Sequence, residues 1–142
     1  MKIAVDASLC RGCEACMLAC ALVHEGLSNP LLARVRVSKD MATYTFAILL
    51  CQQCDDPACV QACPADAILL DSRGVPAIQE AVCIQCGLCA DECPYQAIFH
   101  DAAADRYFKC DLCPQLASGP ACVNICPVAA LTIQPETTRE EV

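Results

Sequence analysis

Residues 83–94 read Cys-Ile-Gln-Cys-Gly-Leu-Cys-Ala-Asp-Glu-Cys-Pro, a C-x2-C-x2-C-x3-C-P run. That spacing is a bacterial ligand pattern for a 4Fe–4S cluster. Three thiolates two residues apart can wrap three corners of an iron–sulfur cube from one tight loop. The fourth, Cys93, falls about one helical turn further on and faces elsewhere. In two-cluster proteins with this run the fourth thiolate ligates the other cluster, so a loop of this kind needs a partner loop.

The chain supplies three more. Its 16 cysteines in 142 residues fall into four quartets with none left over. They are Cys10, Cys13, Cys16 and Cys20; Cys51, Cys54, Cys59 and Cys63; Cys83, Cys86, Cys89 and Cys93; and Cys110, Cys113, Cys122 and Cys126. Cysteine at this density admits disulfides, zinc or iron–sulfur chemistry. Disulfides suit secreted domains, and the segment from Met1 to Asp6 has no apolar run of signal-peptide length. Cysteines spaced by two on tight loops also pair poorly with each other. Zinc takes two C-x2-C pairs, whereas each loop here carries three close thiols and a distal fourth. Three distal thiols, Cys63, Cys93 and Cys126, precede Pro64, Pro94 and Pro127. Iron–sulfur ligation accounts for all of these features together.

The elements that must hold these loops are short. Residues 2–7 predict a strand, Glu14 to Val23 a helix ended by Gly26, and Pro57 the first turn of a second helix. Cys16 with Cys20, and Cys59 with Cys63, lie at i, i+4. His24, near the first helix end, reads as a surface histidine favoured by the helix dipole, with a ligand role as the alternative. Residues 27–50 lack cysteine. Val35 and Val37 alternate with Arg34 and Arg36, and Tyr44, Phe46 and Ile48 alternate with Thr43, Thr45 and Ala47, which predicts a β-hairpin. It could be a lid over the cysteine-rich core, or a docking surface with Arg34, Arg36 and Lys39 as a basic spot. The segment Cys63-Pro64-Ala65-Asp66-Ala67-Ile68 recurs as Cys93-Pro94-Tyr95-Gln96-Ala97-Ile98 and Cys126-Pro127-Val128-Ala129-Ala130-Leu131. Each is a helix end, a proline that cannot continue it, and a short strand. Such repetition is far more specific than one C-x2-C pair. Further strands are expected at 67–71, 75–78 and 105–108. Arg11 and Lys109 flank cysteines; they could raise a redox potential or be plain exposed charges.

Composition sets the exclusions. There is no Trp, and aromatic residues make up 4%, so the polypeptide has little bulk for a core of its own. Inorganic cubes would fill much of the interior, and the metal-free chain should fold poorly. The net charge is −8, and each oxidised cluster with four thiolates adds roughly two more negative charges by formal counting. An acidic holoprotein of this kind is a poor ligand for nucleic acid or an anionic membrane. No apolar run approaches the ~20 residues of a membrane span.

The motif set as a whole resembles the four-cluster ferredoxin-like electron-transfer subunits of molybdenum and tungsten pterin oxidoreductases, and the similar small subunits of hydrogenases and carbon monoxide dehydrogenases. It comprises a regular first loop, a C-x2-C-x4-C-x3-C-P second, a regular third and a long-gapped fourth, over about residues 2–134. The first loop departs at Ala21, where the pattern has Pro, and the helix is expected to run on. The resemblance implies an α+β fold of two nested dicluster ferredoxin modules. Residues 1–26 with 102–135 would form the outer module, 51–101 the inner, 27–50 a hairpin insert and 136–142 a polar tail. It further implies crossed ligation. One cluster would take Cys10, Cys13, Cys16 and Cys126, and a second Cys51, Cys54, Cys59 and Cys93. A third would take Cys83, Cys86, Cys89 and Cys63, and a fourth Cys110, Cys113, Cys122 and Cys20.

By the same resemblance, the function expected is that of a non-catalytic wire of four 4Fe–4S clusters. It would link a catalytic oxidoreductase subunit to an acceptor or flavin subunit, with a tungsten aldehyde oxidoreductase the most similar system. Hydrogenase, formate dehydrogenase and carbon monoxide dehydrogenase partners are alternatives, as is a free soluble polyferredoxin. An enzyme in its own right is disfavoured: no nucleotide loop or nucleophile–base pair is present, and all sixteen Cys serve as ligands. Self-association into a longer wire is a further expectation, and the expected location is cytoplasmic.

Overall fold

The computed structural model describes residues 2–134, so the expected polar tail at 136–142 lies outside the described residues. The chain is built from thirteen short elements. These are β1 (Lys2–Val5), α1 (Ala15–Glu25), a 3-10 turn (Pro30–Leu32), β2 (Val35–Asp40), β3 (Thr45–Leu50), α2 (Ala58–Ala62), β4 (Ile68–Leu70), β5 (Pro76–Ile78), α3 (Leu88–Glu92), β6 (Ile98–Asp101), β7 (Arg106–Lys109), α4 (Ala121–Ile125) and β8 (Leu131–Gln134). The strands form four separate two-stranded antiparallel ribbons, pairing β1 with β8, β2 with β3, β4 with β5, and β6 with β7. The first and last strands pair with Val5 opposite Leu131, and α1 packs on α4 while α2 packs on α3. The result is the α+β arrangement of two ferredoxin-like units, the second threaded inside the first.

Proline decides how each helix ends. Cys63, Cys93 and Cys126 cap α2, α3 and α4 with ψ of 111°, 114° and 115°. A residue before proline is pushed from the helical to the extended region. These three thiols therefore swing off the helix ends rather than continuing one helical face, as plain i, i+4 spacing suggests for Cys63. Cys20 precedes Ala21, so α1 runs on to Glu25 and stops at Gly26. That glycine takes φ 69° and donates to the Leu22 carbonyl, a left-handed cap that glycine adopts without steric cost.

The expected hairpin forms, with Val35 opposite Leu50, Val37 opposite Ile48 and Lys39 opposite Phe46. Tyr44 does not join its apolar face. It sits in the turn at φ 52° and is 74% exposed. The basic spot does not form either. Arg34 is buried, pairs with Glu25 at 3.1 Å and lies over the Phe108 ring. Arg36 stacks on Phe99 with its guanidinium carbon 4.3 Å from the ring centre, and donates to the Leu31 carbonyl at 2.6 Å. Lys39 is turned to Glu14 at 3.5 Å. The hairpin turns Arg34 and Arg36 inward, as a lid, and leaves Lys39 exposed.

Glu25 joins these parts. Besides Arg34 it meets Arg106 of β7 at 2.7 Å, which ties α1, the insert and the β6–β7 ribbon together. Burial raises the pKa of this carboxyl, but the two guanidiniums outweigh it and hold it below the usual range.

Candidate metal centres

All four cysteine loops share one backbone device. The second residue after the first cysteine is left-handed in each: Gly12 (φ 67°), Gln53 (48°), Gln85 (55°) and Leu112 (59°). This reversal curls the chain so that its N–H points back at sulfur. Gly12 donates to Cys10 Sγ at 3.4 Å, Gln85 to Cys83 Sγ at 3.5 Å and Leu112 to Cys110 Sγ at 3.5 Å. A second device follows three of the distal cysteines. Asp66, Gln96 and Ala129 are left-handed, and the next residue donates to sulfur: Ala67 to Cys63 at 3.2 Å, Ala97 to Cys93 at 3.5 Å, and Ala130 to Cys126 at 3.3 Å. Hydrogen bonds to a thiolate favour its charged form. Burial works against the Cys126 thiolate, yet the backbone amides of residues 128–131 hold its pKa below the usual thiol range.

Gly12 has a further constraint. A Cβ there would lie 2.5 Å from the Phe46 ring. Gln53 and Gln85 show that a side chain tolerates the same φ in sister loops, so the Phe46 contact is what distinguishes this position. Gly12→Gln is expected to cost about 1 kcal/mol or more in left-handed strain and about 1–3 kcal/mol in overpacking. Adding Phe46→Ala should recover the second part, measured by thermal unfolding of the holoprotein. Equal stability of the single and double variants would remove this account of the hairpin contact.

The thiols converge in four groups. Cys10, Cys13, Cys16 and Cys126 line one cavity, roofed by Val37 and Ile48 of the hairpin. Cys51, Cys54, Cys59 and Cys93 line another, with Pro57, Ile98 and Lys109. Cys63, Cys83, Cys86 and Cys89 line a third, with Ile68 and Ile84. Cys20, Cys110, Cys113 and Cys122 are all buried, and the charges of the first three act on Cys122. The groups are also neighbours in a fixed order. Cys16 is close enough to Cys122, Cys51 to Cys110, and Cys59 to Cys89 for their charges to interact.

Burial, reinforced by neighbouring thiolates, pushes Cys16 and Cys89 up to about 11, Cys110 to about 12, and Cys122 higher still. Backbone amides and Lys109 offset only part of this. Four thiolates this close repel one another, so the arrangement suits a cationic centre that forces thiols to ionise. All sixteen cysteines are free thiols, and their inward N–H donors fit the soft sulfur ligands of a cubane cluster. The donor set and its backbone cradle fit the group that the spacing implies.

Cys20 is the exception among distal cysteines, and the structure shows what replaces the missing proline turn. The backbone N–H of Arg34 donates to Cys20 Sγ at 3.2 Å, and His24 Nδ1 lies 3.7 Å from the same sulfur. His24 is therefore not a surface residue. Its side chain is 6% exposed, Nδ1 donates to the Cys20 carbonyl at 2.9 Å, and Nε2 donates to Asp111 Oδ1 at 2.8 Å. Burial acts to lower its pKa, but the bonds to Asp111 and to the Cys20 sulfur and carbonyl together outweigh it and lift the value to about 9. His24, Asp111 and Cys113 present ligand atoms within 4.8 Å of one another. Asp111 also accepts from the Cys113 amide at 3.0 Å, so the trio is the flank of the Cys20 group. Lys109 is not an exposed charge either. It is 5% exposed and donates to the carbonyls of Pro76 at 2.5 Å and Cys110 at 3.0 Å. Arg11 is exposed, beside the Cys10 cavity. A sequence signal for His24 existed, since it lies i+4 from Cys20; none marked Asp111, which the fold brings from 87 residues away.

Four interlocked groups of four soft ligands, with hydrogen bonds aimed at sulfur, define an iron–sulfur electron-transfer protein carrying four 4Fe–4S clusters. Comparison with known proteins agrees. A family described as 4Fe-4S dicluster domain matches residues 42–136, and a 4Fe-4S binding domain matches residues 7–23. The thiosulfate reductase electron transfer subunit PhsB of Salmonella typhi is 32% identical over 89% of this chain and 71% of its own length. The beta subunit of NADH-dependent phenylglyoxylate dehydrogenase from Aromatoleum evansii is 39% identical over 91% of this chain, which spans only 29% of that subunit. Among solved structures, a chain of the active site complex BamBC of benzoyl coenzyme A reductase matches at TM-score 0.56 and 26% identity, covering 92% of this chain and 76% of that one. The chain belongs to the 4Fe–4S dicluster ferredoxin family. It is an iron–sulfur electron-transfer protein of that family.

Proposed function

We propose that this chain is the electron-conducting subunit of a larger oxidoreductase complex, holding its clusters in a row. The carrying observation is the order of the thiol groups. The group with Cys10 neighbours the group with Cys20, then that with Cys51, then that with Cys63. Of the two middle groups, that with Cys20 is buried and that with Cys51 half-buried, while Cys13 and Cys86 at the two ends are exposed. In this reading Cys10, Cys13, Cys16 and Cys126 hold one cluster, and Cys20, Cys110, Cys113 and Cys122 the next. Cys51, Cys54, Cys59 and Cys93 hold the third, and Cys63, Cys83, Cys86 and Cys89 the fourth. The outer module comprises residues 1–26 and 102–135, and the inner module 51–101. Each cluster, when bound, supplies a one-electron redox couple. The chain's own residues fix the spacing, direct amide hydrogens at the sulfurs and keep water from the middle of the row.

The partner is a catalytic subunit of the molybdenum or tungsten pterin type, with an aldehyde oxidoreductase as the specific assignment and a flavin subunit as a further neighbour. The names of the relatives support a subunit role, since one is an electron transfer subunit of a reductase and another the beta subunit of a dehydrogenase. Among the described residues no helix is long and apolar enough to cross a membrane, and we place the complex in the cytoplasm. Anaerobic purification of the tagged chain from its native cells tests this. A larger catalytic subunit containing a pterin metal should co-elute in fixed ratio. A chain that always elutes alone, fully loaded with iron, would instead be a diffusing polyferredoxin.

A further inference from the structure

The two ends of the row differ. At the Cys13 end the hairpin covers the site: Val37 and Ile48 line the cavity, and Phe46 lies against Gly12. At the Cys86 end Tyr107 of β7 lies against Gly87 and lines the cavity, but the flank beyond it is left exposed. Ile84 lines the cavity with Cys83, Cys86 and Cys89 and is 59% exposed, with Val82 and Leu88 also exposed. Asp91 and Glu92, on α3 beside Leu88, are exposed. The Glu80 side chain is 60% exposed despite its contact with Arg106.

Charge is divided in the same way. Residues 51–101 carry eight carboxylates against one cation, Arg73, and Arg73 is folded onto Asp71 at 2.7 Å. Residues 2–50 carry four carboxylates against five cations. The net charge of −8 is thus concentrated on the inner module, which carries the Cys86 end of the row.

We propose that the face formed by Val82, Ile84 and Leu88, rimmed by Glu80, Asp91 and Glu92, is the docking surface for a cationic redox protein. That partner presents Lys or Arg side chains around its own one-electron group. An apolar centre lets two redox proteins approach closely without trapped charge, and a rim of one sign steers the opposite sign into register and raises the encounter rate. The acidic rim also disfavours a second copy of this chain on the same face. The inference rests on the proposed electron-conducting role and adds which end exchanges electrons with a separate protein.

Stopped-flow oxidation of the dithionite-reduced holoprotein tests it, with mammalian cytochrome c as the cationic probe and ferricyanide as the small anionic one. Asp91→Lys should slow cytochrome c reduction at low ionic strength by about tenfold, within the range of electrostatic steering, and salt should erase the difference. Asp40→Lys makes the same charge change in the hairpin turn and should alter the rate less than about twofold. Midpoint potentials of each variant separate docking from driving force. Equal losses in the two variants mean that net charge alone attracts the probe, and overturn the proposal. Carbodiimide cross-linking of the unaltered holoprotein to cytochrome c needs no variant: links at Glu80, Asp91 or Glu92 support the face, and links confined to residues 2–50 overturn it. Light scattering that shows dimers dispersed by Ile84→Asp would also overturn it, with a second copy as the occupant. Failure of ferricyanide to oxidise the reduced protein would sink the electron-transfer role itself, an outcome distinct from insensitivity to which end is altered.

Discussion

Anaerobic removal of iron with a chelator and an oxidant is expected to abolish the cooperative fold. The polypeptide offers little to stand on alone. Among the described residues three of the four α-helices are five residues long, far below the ~12–15 residues at which an isolated helix becomes even marginal. Its strands form only two-stranded ribbons, which are marginal by themselves. In the smaller cluster Ile68, Cys89 and Ile98 are the buried members among the described residues, and Cys59, Cys63 and Cys93 are part of the packing beside them. The larger cluster, from Ile3 to Leu131, includes Val35, Leu50 and Leu112 and should retain residual structure longer. A domain's whole stability is about 5–15 kcal/mol, and metal binding of comparable size is folding free energy where no preformed site exists. The loaded protein should contain about sixteen iron and sixteen sulfide per chain, at four of each per cubane. Chelation should bleach it, collapse its near-ultraviolet circular dichroism and expose all sixteen thiols to a thiol reagent. Retention of a sharp thermal transition by the iron-free chain would refute the view that the clusters are its core.

The cysteine loops were legible because ligand spacing is local chemistry. Proline 57, Gly26 and Ala21 likewise announced where helices start, stop and run on, since each acts on its own backbone. The pairing of β1 with β8 was not legible: it joins residues more than 120 apart, and neither four-residue strand carries a distinctive pattern. Nor were the left-handed residues of the loops, because Gln53, Gln85 and Leu112 have no intrinsic preference for that region; ligand geometry imposes it. Charged side chains were the main source of error. Arg34 and Arg36 read as a surface spot from type alone, and His24 and Lys109 each had a surface reading beside a role at a cluster. Each is buried or half-buried on partners that only the fold supplies, namely Glu25, Phe99, Asp111 and the Pro76 carbonyl. Tyr44 failed for the converse reason. Its alternation with Phe46 continued past the point where the strand gives way to a turn.

Lys109 leads to the second large effect. Its ammonium lines the cavity of Cys51, Cys54, Cys59 and Cys93, and its charge works against the burial that raises the thiols of Cys59 and Cys110. Those two cysteines belong to adjacent groups, so one buried cation sits between the two middle positions of the row. Adding an electron to either position adds negative charge next to it. At an effective dielectric of about 20 and a separation on the order of 6 Å, the interaction is about 3 kcal/mol, roughly 130 mV for one electron. Lys109→Met keeps the length and apolar stem but removes the charge. It is expected to lower the midpoint potentials of the two middle clusters by about 50–150 mV, the range that this Coulomb estimate spans with partial screening. The two end clusters should move far less. Lys109→Arg should hold the potentials near those of the parent, which separates charge from the loss of two carbonyl contacts. Potentiometric titration followed by electron paramagnetic resonance reads all of these. A uniform shift of every cluster, or none, would make Lys109 a packing residue. A lowered middle would instead show how this chain levels its own row: burial makes reduction at the Cys20 group harder, and a single lysine offsets that barrier from inside.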